Sequence, residues 1–108
     1  ALSRTRDAIL STDLGGDGAL IVLDVDYPHG EYRPGDQLWL RQLDPEDAGR
    51  AINRDVLVPK KGGRFAFGRL IDRRGELLGI LPPGQGQKQD VIKDAPWIAV
   101  AEMLVRTL

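Results

Sequence analysis

The chain contains no cysteine and only one histidine, His29. Without cysteine the protein can form neither a disulfide nor a thiolate metal site, and a reducing compartment suits this composition. A lone histidine in a loop, with no cysteine or second histidine beside it, does not build a zinc site of the usual kind. We therefore expect no bound metal and no cofactor.

An excess of positive charge is also missing. The sequence has 15 Lys and Arg residues against 16 Asp and Glu residues, which gives a net charge of −1 and a pI near 5.8. A domain that binds nucleic acid by itself normally presents a basic face. The charge balance therefore argues against a free-standing nucleic-acid-binding domain.

Long apolar runs are missing as well. No stretch approaches the roughly 20 apolar residues of a membrane-spanning helix, and no signal-peptide pattern opens the chain. We expect a cytoplasmic protein that does not associate with membranes. The 108 residues, 42% of them hydrophobic, fit one folded domain, 1–108. Residues 1–18, which end in a glycine-rich turn, are expected to be a partly flexible lead-in.

Short apolar segments at regular spacing predict a mainly β protein. Ala19–Val25 is apolar almost throughout, which predicts a strand buried on both faces. Asp44 as N-cap followed by Pro45 predicts one short helix. The polar stretch 82–94 predicts an irregular connection. We expect six or seven strands in a strongly bent sheet or incomplete barrel. Further predicted strands are 38–41, 56–58, 65–71, 76–82 and 97–108.

The stretch Arg33-Pro34-Gly35-Asp36 predicts a tight turn that leads into a strand. Proline fixes its own φ, and Gly35 can take the positive φ that a type II turn requires. Asp36 can accept a hydrogen bond from a nearby backbone N–H. The turn alone is common in β proteins, so its value lies in the order of elements around it.

That order resembles the C-terminal domain of LexA-like and phage repressors, a family of self-cleaving serine peptidases. The resemblance is carried by the order of the strands, the Arg33–Asp36 turn and the Leu78–Pro82 stretch, and it covers about Ala19 to Leu108. It implies an incomplete barrel of that type, which pairs two copies of a repressor. A separate helix-turn-helix domain, expected outside this chain, would then bind the DNA.

The sequence departs from the family at both catalytic positions. The position of the nucleophilic serine corresponds to Asp26 or Tyr27, and the only serines of the chain, Ser3 and Ser11, lie far upstream. The position of the family's lysine corresponds to Gly68. A Ser–Lys dyad requires a hydroxyl and a neutral amine that can take its proton. We therefore expect no catalytic residues of this type and no self-cleavage.

The last segment, Trp97–Leu108, is apolar on both faces at its start. Its β-branched residues favour a strand over the alternative of a helix from Ala99. Such a strand should be central in the sheet or covered by another subunit. The resemblance further implies that this strand contributes to the dimer interface. The candidate interface residues are Met103, Leu104, Val105 and Leu108.

The most basic segment is Lys60-Lys61-Gly62-Gly63-Arg64, which predicts a hairpin tip because two glycines separate two strands. The simplest interpretation is a solvated tip whose lysines discourage pairing at a sheet edge. An accessory contact with a phosphate backbone is the alternative.

The leading functional hypothesis is a non-catalytic dimerisation and regulatory domain of a repressor. Release from DNA would then need an antirepressor, another regulatory protein, or a ligand in the vacant cleft. One alternative is an adaptor that binds a protein along an exposed sheet edge. Another is a hydrolase that uses acidic residues and the histidine around one loop. Its candidate residues are Asp24, Asp26, His29 and Asp36.

Overall fold

A computed structural model of the chain describes residues 4–7, 20–26, 28, 30–84, 86 and 88–106. They form eight strands and one short 3-10 helix. The helix spans Pro45–Ala51. The strands are β1 (Arg4–Asp7), β2 (Leu20–Asp24), β3 (Gln37–Leu43), β4 (Asp55–Pro59), β5 (Phe65–Arg74), β6 (Leu77–Leu81), β7 (Asp90–Lys93) and β8 (Ile98–Val105).

All eight strands belong to one sheet, in the order β1-β2-β3-β8-β4-β5-β6-β7, and every pair is antiparallel. The sheet is open and strongly curled, so that it forms a half-barrel. The mainly β, strongly bent sheet with one short helix is therefore confirmed. Within the described ranges it has eight strands, and the expected six or seven was too few.

Two strands lie outside the predicted ones: β1, which lies inside the expected lead-in 1–18, and β7, which lies inside the segment 82–94 that was predicted to be irregular. That prediction was wrong for its last part. Strand β7 pairs with β6 from Leu77 opposite Lys93 to Ile80 opposite Asp90. Only Ile92 of this strand is buried, so the sequence carries no apolar alternation there. Pairing with an existing strand, rather than burial of a face, makes the segment extended.

The short helix begins as the sequence indicates, with Pro45 in its first turn, but it is a 3-10 helix. The Asp44 side chain makes no capping hydrogen bond. The Asp44 carbonyl instead accepts the N–H of Asp47 at 2.9 Å, which is the i to i+3 pattern of a 3-10 turn. Ala48 and Ala51 are fully buried, so the small helix covers one face of the sheet.

Each face of the curled sheet has its own apolar core. We call the first, which includes the helix alanines, the helix-side core. Its buried members are Ala48, Ala51, Val56, Val58, Ala66, Leu70, Leu78, Ile80, Ile92, Ile98 and Val100. We call the other, next to the Arg33–Asp36 turn, the turn-side core. Its buried members are Ile21, Leu23, Val25, Tyr32, Leu38, Leu40, Leu57, Phe67 and Ala99. Alternate residues of β4, β5 and β8 belong to opposite cores, so these strands are covered on both faces.

Strand β8 is central, between β3 and β4, as its apolar start predicts. It pairs with β3 along its length, with one irregularity between Trp39 and Leu40 that leaves Glu102 as the extra residue. The carboxylate of Glu102 accepts a hydrogen bond from the buried guanidinium of Arg41 at 2.8 Å. The bulge therefore supplies the ion pair that allows an arginine to be buried in this strand.

No helix in the described part of the chain is long and apolar enough to cross a membrane.

Two carboxyl groups meet where β6 begins and β7 ends. The N–H of Asp94 donates to the carbonyl of Glu76 at 3.1 Å, and the two side chains also share a hydrogen bond. This bond and the charge of Asp94 raise the pKa of Glu76 above its ordinary value. The folded state therefore holds the Glu76 proton more tightly than the unfolded chain does. The resulting stabilisation is present below the ordinary pKa of a glutamate and is lost as the pH rises through the raised value.

Glu76→Gln is accordingly expected to stabilise the domain at neutral pH, because a carboxamide can donate to Asp94 without a second negative charge. Urea unfolding should give a higher midpoint for the variant at pH 7 and equal midpoints near pH 3, where Glu76 itself is protonated. Glu46→Gln, which changes a glutamate of the neighbouring helix, is the matched control. A variant midpoint at or below that of the unchanged chain at pH 7 would contradict the shared proton.

Candidate functional site

The Arg33–Asp36 turn has the predicted conformation. The N–H of Asp36 donates to the carbonyl of Arg33 at 3.0 Å, and Gly35 has a φ of 93°. The side chain of Asp36 accepts the N–H of Arg33 at 2.9 Å. Val25, directly after β2, exchanges backbone hydrogen bonds with Gly35 and Asp36. The turn is therefore fixed to the end of β2 as well as to the start of β3.

Asp36 is also the buried anion of an ion pair that the sequence did not predict, while its partner, Arg106, is partly exposed. Arg106, 70 residues away, donates from Nε to Oδ1 at 2.9 Å and from Nη2 to Oδ2 at 2.7 Å. This two-pronged geometry is the strongest arrangement of arginine with a carboxylate. Asp36 is 2% exposed. The bonds from Arg106, followed by the bond from Arg33, lower the pKa of Asp36 to about 2.

Arg106 joins three parts of the structure. Besides Asp36 it bonds the carbonyl of Glu31 at 3.2 Å, in the loop before the turn. It follows directly after β8, which ends at Val105. The ion pair therefore fixes the end of β8 against the loop and turn that connect β2 with β3.

Two glycines, Gly30 in the loop after β2 and Gly68 on β5, approach the same segment, 81–84. A Cβ added to Gly30, in the loop after β2, would lie 3.0 Å from Cβ of Pro83. A Cβ added to Gly68 would lie 2.2 Å from the carbonyl oxygen of Leu81. Asp26 is exposed, while Tyr27 lies outside the described residues, as do Ser3 and Ser11. The backbone at residue 68 thus leaves no room for any side chain.

The structure also contains a tyrosine–aspartate pair that the sequence did not reveal. The buried hydroxyl of Tyr32 donates to Asp55 at the start of β4, and its ring packs edge-on against Phe67 with centroids 5.6 Å apart. Burial, together with the hydrogen bond to Asp55, raises the pKa of Tyr32 above its ordinary value. The hydroxyl therefore stays protonated and serves as a hydrogen-bond donor that ties the loop after β2 to β4.

The predicted interface residues at the end of β8 are partly exposed. Met103 is 37% exposed, Leu104 43% and Val105 39%, while Leu108 lies outside the described residues. Strand β8 pairs with β4 only at Val100 and Ala99, since β4 begins at Asp55. Within the described ranges, the β4 side of residues 102–105 faces no strand. A cleft of about 250 Å³ lies beside them, between β8 and the Tyr32–Asp55 pair.

The acidic residues of the hydrolase hypothesis have different environments. Asp24, at the end of β2, is half-buried and accepts a long hydrogen bond of 3.4 Å from Gln37. Asp26 is exposed, and His29 lies outside the described residues. Both oxygens of Asp36 are bonded to Arg106. Asp36 is therefore already engaged in an ion pair.

Among the residues described, no group of three or more His, Cys, Asp and Glu side chains is placed to hold a metal ion. Comparison of the chain with protein-family models, with curated proteins and with solved structures found no match.

Proposed function

We propose that this chain is a non-catalytic dimerisation and regulatory domain of a LexA-like or phage-type repressor. The observation that carries the proposal is the end of β8. Three consecutive apolar side chains, Met103, Leu104 and Val105, are each more than a third exposed there, beside a strand edge that no strand of the described residues pairs with. Neighbouring side chains of a strand point to opposite faces, so Met103 and Val105 are exposed on one face and Leu104 on the other. An apolar strand edge exposed on both faces is the kind of surface that a second copy of a chain covers.

The loss of the peptidase chemistry is part of the proposal. Residue 68, which corresponds to the family's lysine, is a glycine in contact with the backbone of Leu81 and Pro82. The serine position corresponds to Asp26 or Tyr27, neither of which has the required hydroxyl chemistry of a serine. A domain of this type would act by pairing two DNA-binding domains, because two half-sites held together bind far more tightly than one.

Regulation would then act on the paired state. Without self-cleavage, a repressor is released by an antirepressor or another regulatory protein, or by a ligand in the vacant cleft. Arg106 bonds Asp36 and Glu31, so it joins the end of β8 to the loop after β2. A ligand that displaces this loop would therefore also displace the proposed interface residues at the end of β8.

Sedimentation equilibrium across a wide concentration range tests the pairing. We expect a reversible dimer that Leu104→Asp weakens strongly, since burying a carboxylate at an apolar interface costs about 2 kcal/mol or more, a factor of roughly 30 in Kd. Leu77→Asp is the matched control, because Leu77 is 41% exposed on β6, far from β8 in the strand order.

A monomer at high concentration would remove the central claim and favour the adaptor alternative, in which the open edge of β8 binds a different protein. A dimer that both variants leave unchanged would place the interface elsewhere. Circular dichroism of both variants checks that each remains folded.

A further inference from the structure

The second open edge of the sheet is at β7, the last strand in the order. One side of β7 pairs with β6, and within the described ranges no strand pairs with its other side. A groove of about 440 Å³ runs along that side, and its opposite wall is the β4–β5 hairpin. The edge therefore presents backbone N–H and C=O groups to this groove.

Positive charge is concentrated around this groove. Lys60, Lys61 and Arg64 line it from the hairpin, and Lys93 lines it from β7. Lys60 forms an ion pair with Asp90 at 2.9 Å. In the described part of the chain the other three cations form no ion pair. Asp94 also lines the groove and Asp90 neutralises Lys60, so the four cations leave a local excess of two positive charges in a protein whose net charge is −1.

The groove also has an apolar component. Val91 is 57% exposed on β7, and Pro59 and Pro96 form part of the walls. Ile92 between the two exposed residues of the strand points into the helix-side core. A ligand along this edge would therefore contact the backbone N–H and C=O groups of β7, the exposed Val91 side chain and the surrounding cationic side chains.

We propose that this groove binds an extended acidic segment of a partner polypeptide, which adds to β7 as a further strand. Backbone hydrogen bonds would supply affinity, and the cations would select acidic side chains. A nucleic-acid backbone fits less well, because it has no amide ladder for the strand edge and gains little from Val91. The inference does not depend on the repressor function, because the groove lies beside β7 whereas the proposed dimer interface lies at the end of β8.

The first binding measurement uses the 108-residue chain and three fluorescein-labelled probes. They are a short peptide of alternating glutamate and valine, the same peptide with lysine in place of glutamate, and an oligothymidine strand. Fluorescence anisotropy measures binding. We expect saturable binding of the glutamate–valine peptide alone, and NMR should show the amides of Asp90–Lys93 gaining protection from exchange.

Charge reversal provides the matched variants. Lys61→Glu combined with Lys93→Glu is expected to weaken binding of the glutamate–valine peptide by roughly tenfold or more. Arg50→Glu, at an exposed position of the short helix, should leave binding unchanged. A backbone-methylated copy of the peptide should also fail to bind, because it cannot pair with the strand edge.

The remaining outcomes overturn the proposal. Absence of peptide binding would mean that the lysines only protect the edge against pairing. Equal binding of the methylated peptide would exclude strand addition. Tighter binding of oligothymidine, lost in the same double variant, would identify the groove as a phosphate-backbone contact instead.

Discussion

Gly68→Ala is expected to destabilise the domain by about 3 kcal/mol, because an added methyl group would overlap main-chain atoms. The Cβ would lie 2.2 Å from the carbonyl oxygen of Leu81 and 2.8 Å from Cα of Pro82. Neither atom can move away by a side-chain rotation, and the ring of Pro82 restricts its backbone further. The overlap can be relieved only if β5 and β6 move apart where Arg69 pairs with Leu81.

Urea unfolding monitored by circular dichroism measures the effect. For a domain whose total stability is of the order of 5–15 kcal/mol, such a loss is a large fraction. Gly49→Ala is the matched control, since its Cβ would lie 3.5 Å from a flexible Arg73 side chain. The control should be neutral or slightly stabilising, because alanine is the better helix former. If Gly68→Ala unfolds at the same urea concentration as the unchanged chain, the close approach at Leu81 does not exist.

The same contact has a consequence for the proposed loss of catalysis. Gly68→Lys adds the same Cβ and a long side chain, so we expect it to be at least as destabilising as Gly68→Ala. The double variant Gly68→Lys with Tyr27→Ser should therefore show no self-cleavage, because the folded domain has no space for a lysine side chain at residue 68. Cleavage at alkaline pH, followed by mass spectrometry, would contradict this expectation.

Local sequence signals predict those elements whose structure is decided by near neighbours. The apolar run at Ala19–Val25 gives β2, and the proline and glycine of the turn give its conformation. Strand β8 follows from its β-branched, apolar start. In each case, burial or a backbone preference of the residues themselves is sufficient, so pattern alone leads to the correct structure.

The parts that were missed depend on partners far away in the chain. Strand β7 has one buried residue and is extended only because β6 offers it an edge. The bond from Arg106 to Asp36 spans 70 residues, and that from Tyr32 to Asp55 spans 23. No local periodicity marks such pairs. A signal was present in part, since an aspartate in a tight turn and an arginine in an apolar terminal segment each need a partner if buried.

Asp36→Asn is expected to remove the acid sensitivity that the ion pair between Asp36 and Arg106 gives to the domain. The pKa of Asp36 is lowered to about 2 in the folded state, from an ordinary value of 3.8. A lowered pKa contributes stability above the ordinary value, and that stability is lost as the pH falls through the folded value. The free energy of unfolding of the unchanged chain should therefore fall between about pH 4 and pH 2.

The variant should be less stable than the unchanged chain at pH 7, and the difference should shrink as the pH falls through this window. Asp72→Asn is the matched control, because Asp72 is also paired with an arginine, Arg74, but on an exposed surface. Exposed pairs contribute little, so the control should follow the unchanged chain at every pH. If Asp36→Asn shows the same difference at pH 7 and pH 2, the ion pair is not the source of the acid sensitivity.

Arg106→Gln separates the role of the ion pair in folding from its role in pairing. It leaves the buried carboxylate of Asp36 with the N–H of Arg33 as its remaining described donor, so stability at pH 7 should fall as it does in Asp36→Asn. It also releases the end of β8 from the loop at Glu31. Because Leu104 and Val105 directly precede this attachment, a dimer formed through them should weaken in Arg106→Gln under conditions where the monomer is still folded. Dimer affinity that stays constant while stability falls would show that the ion pair supports the turn alone.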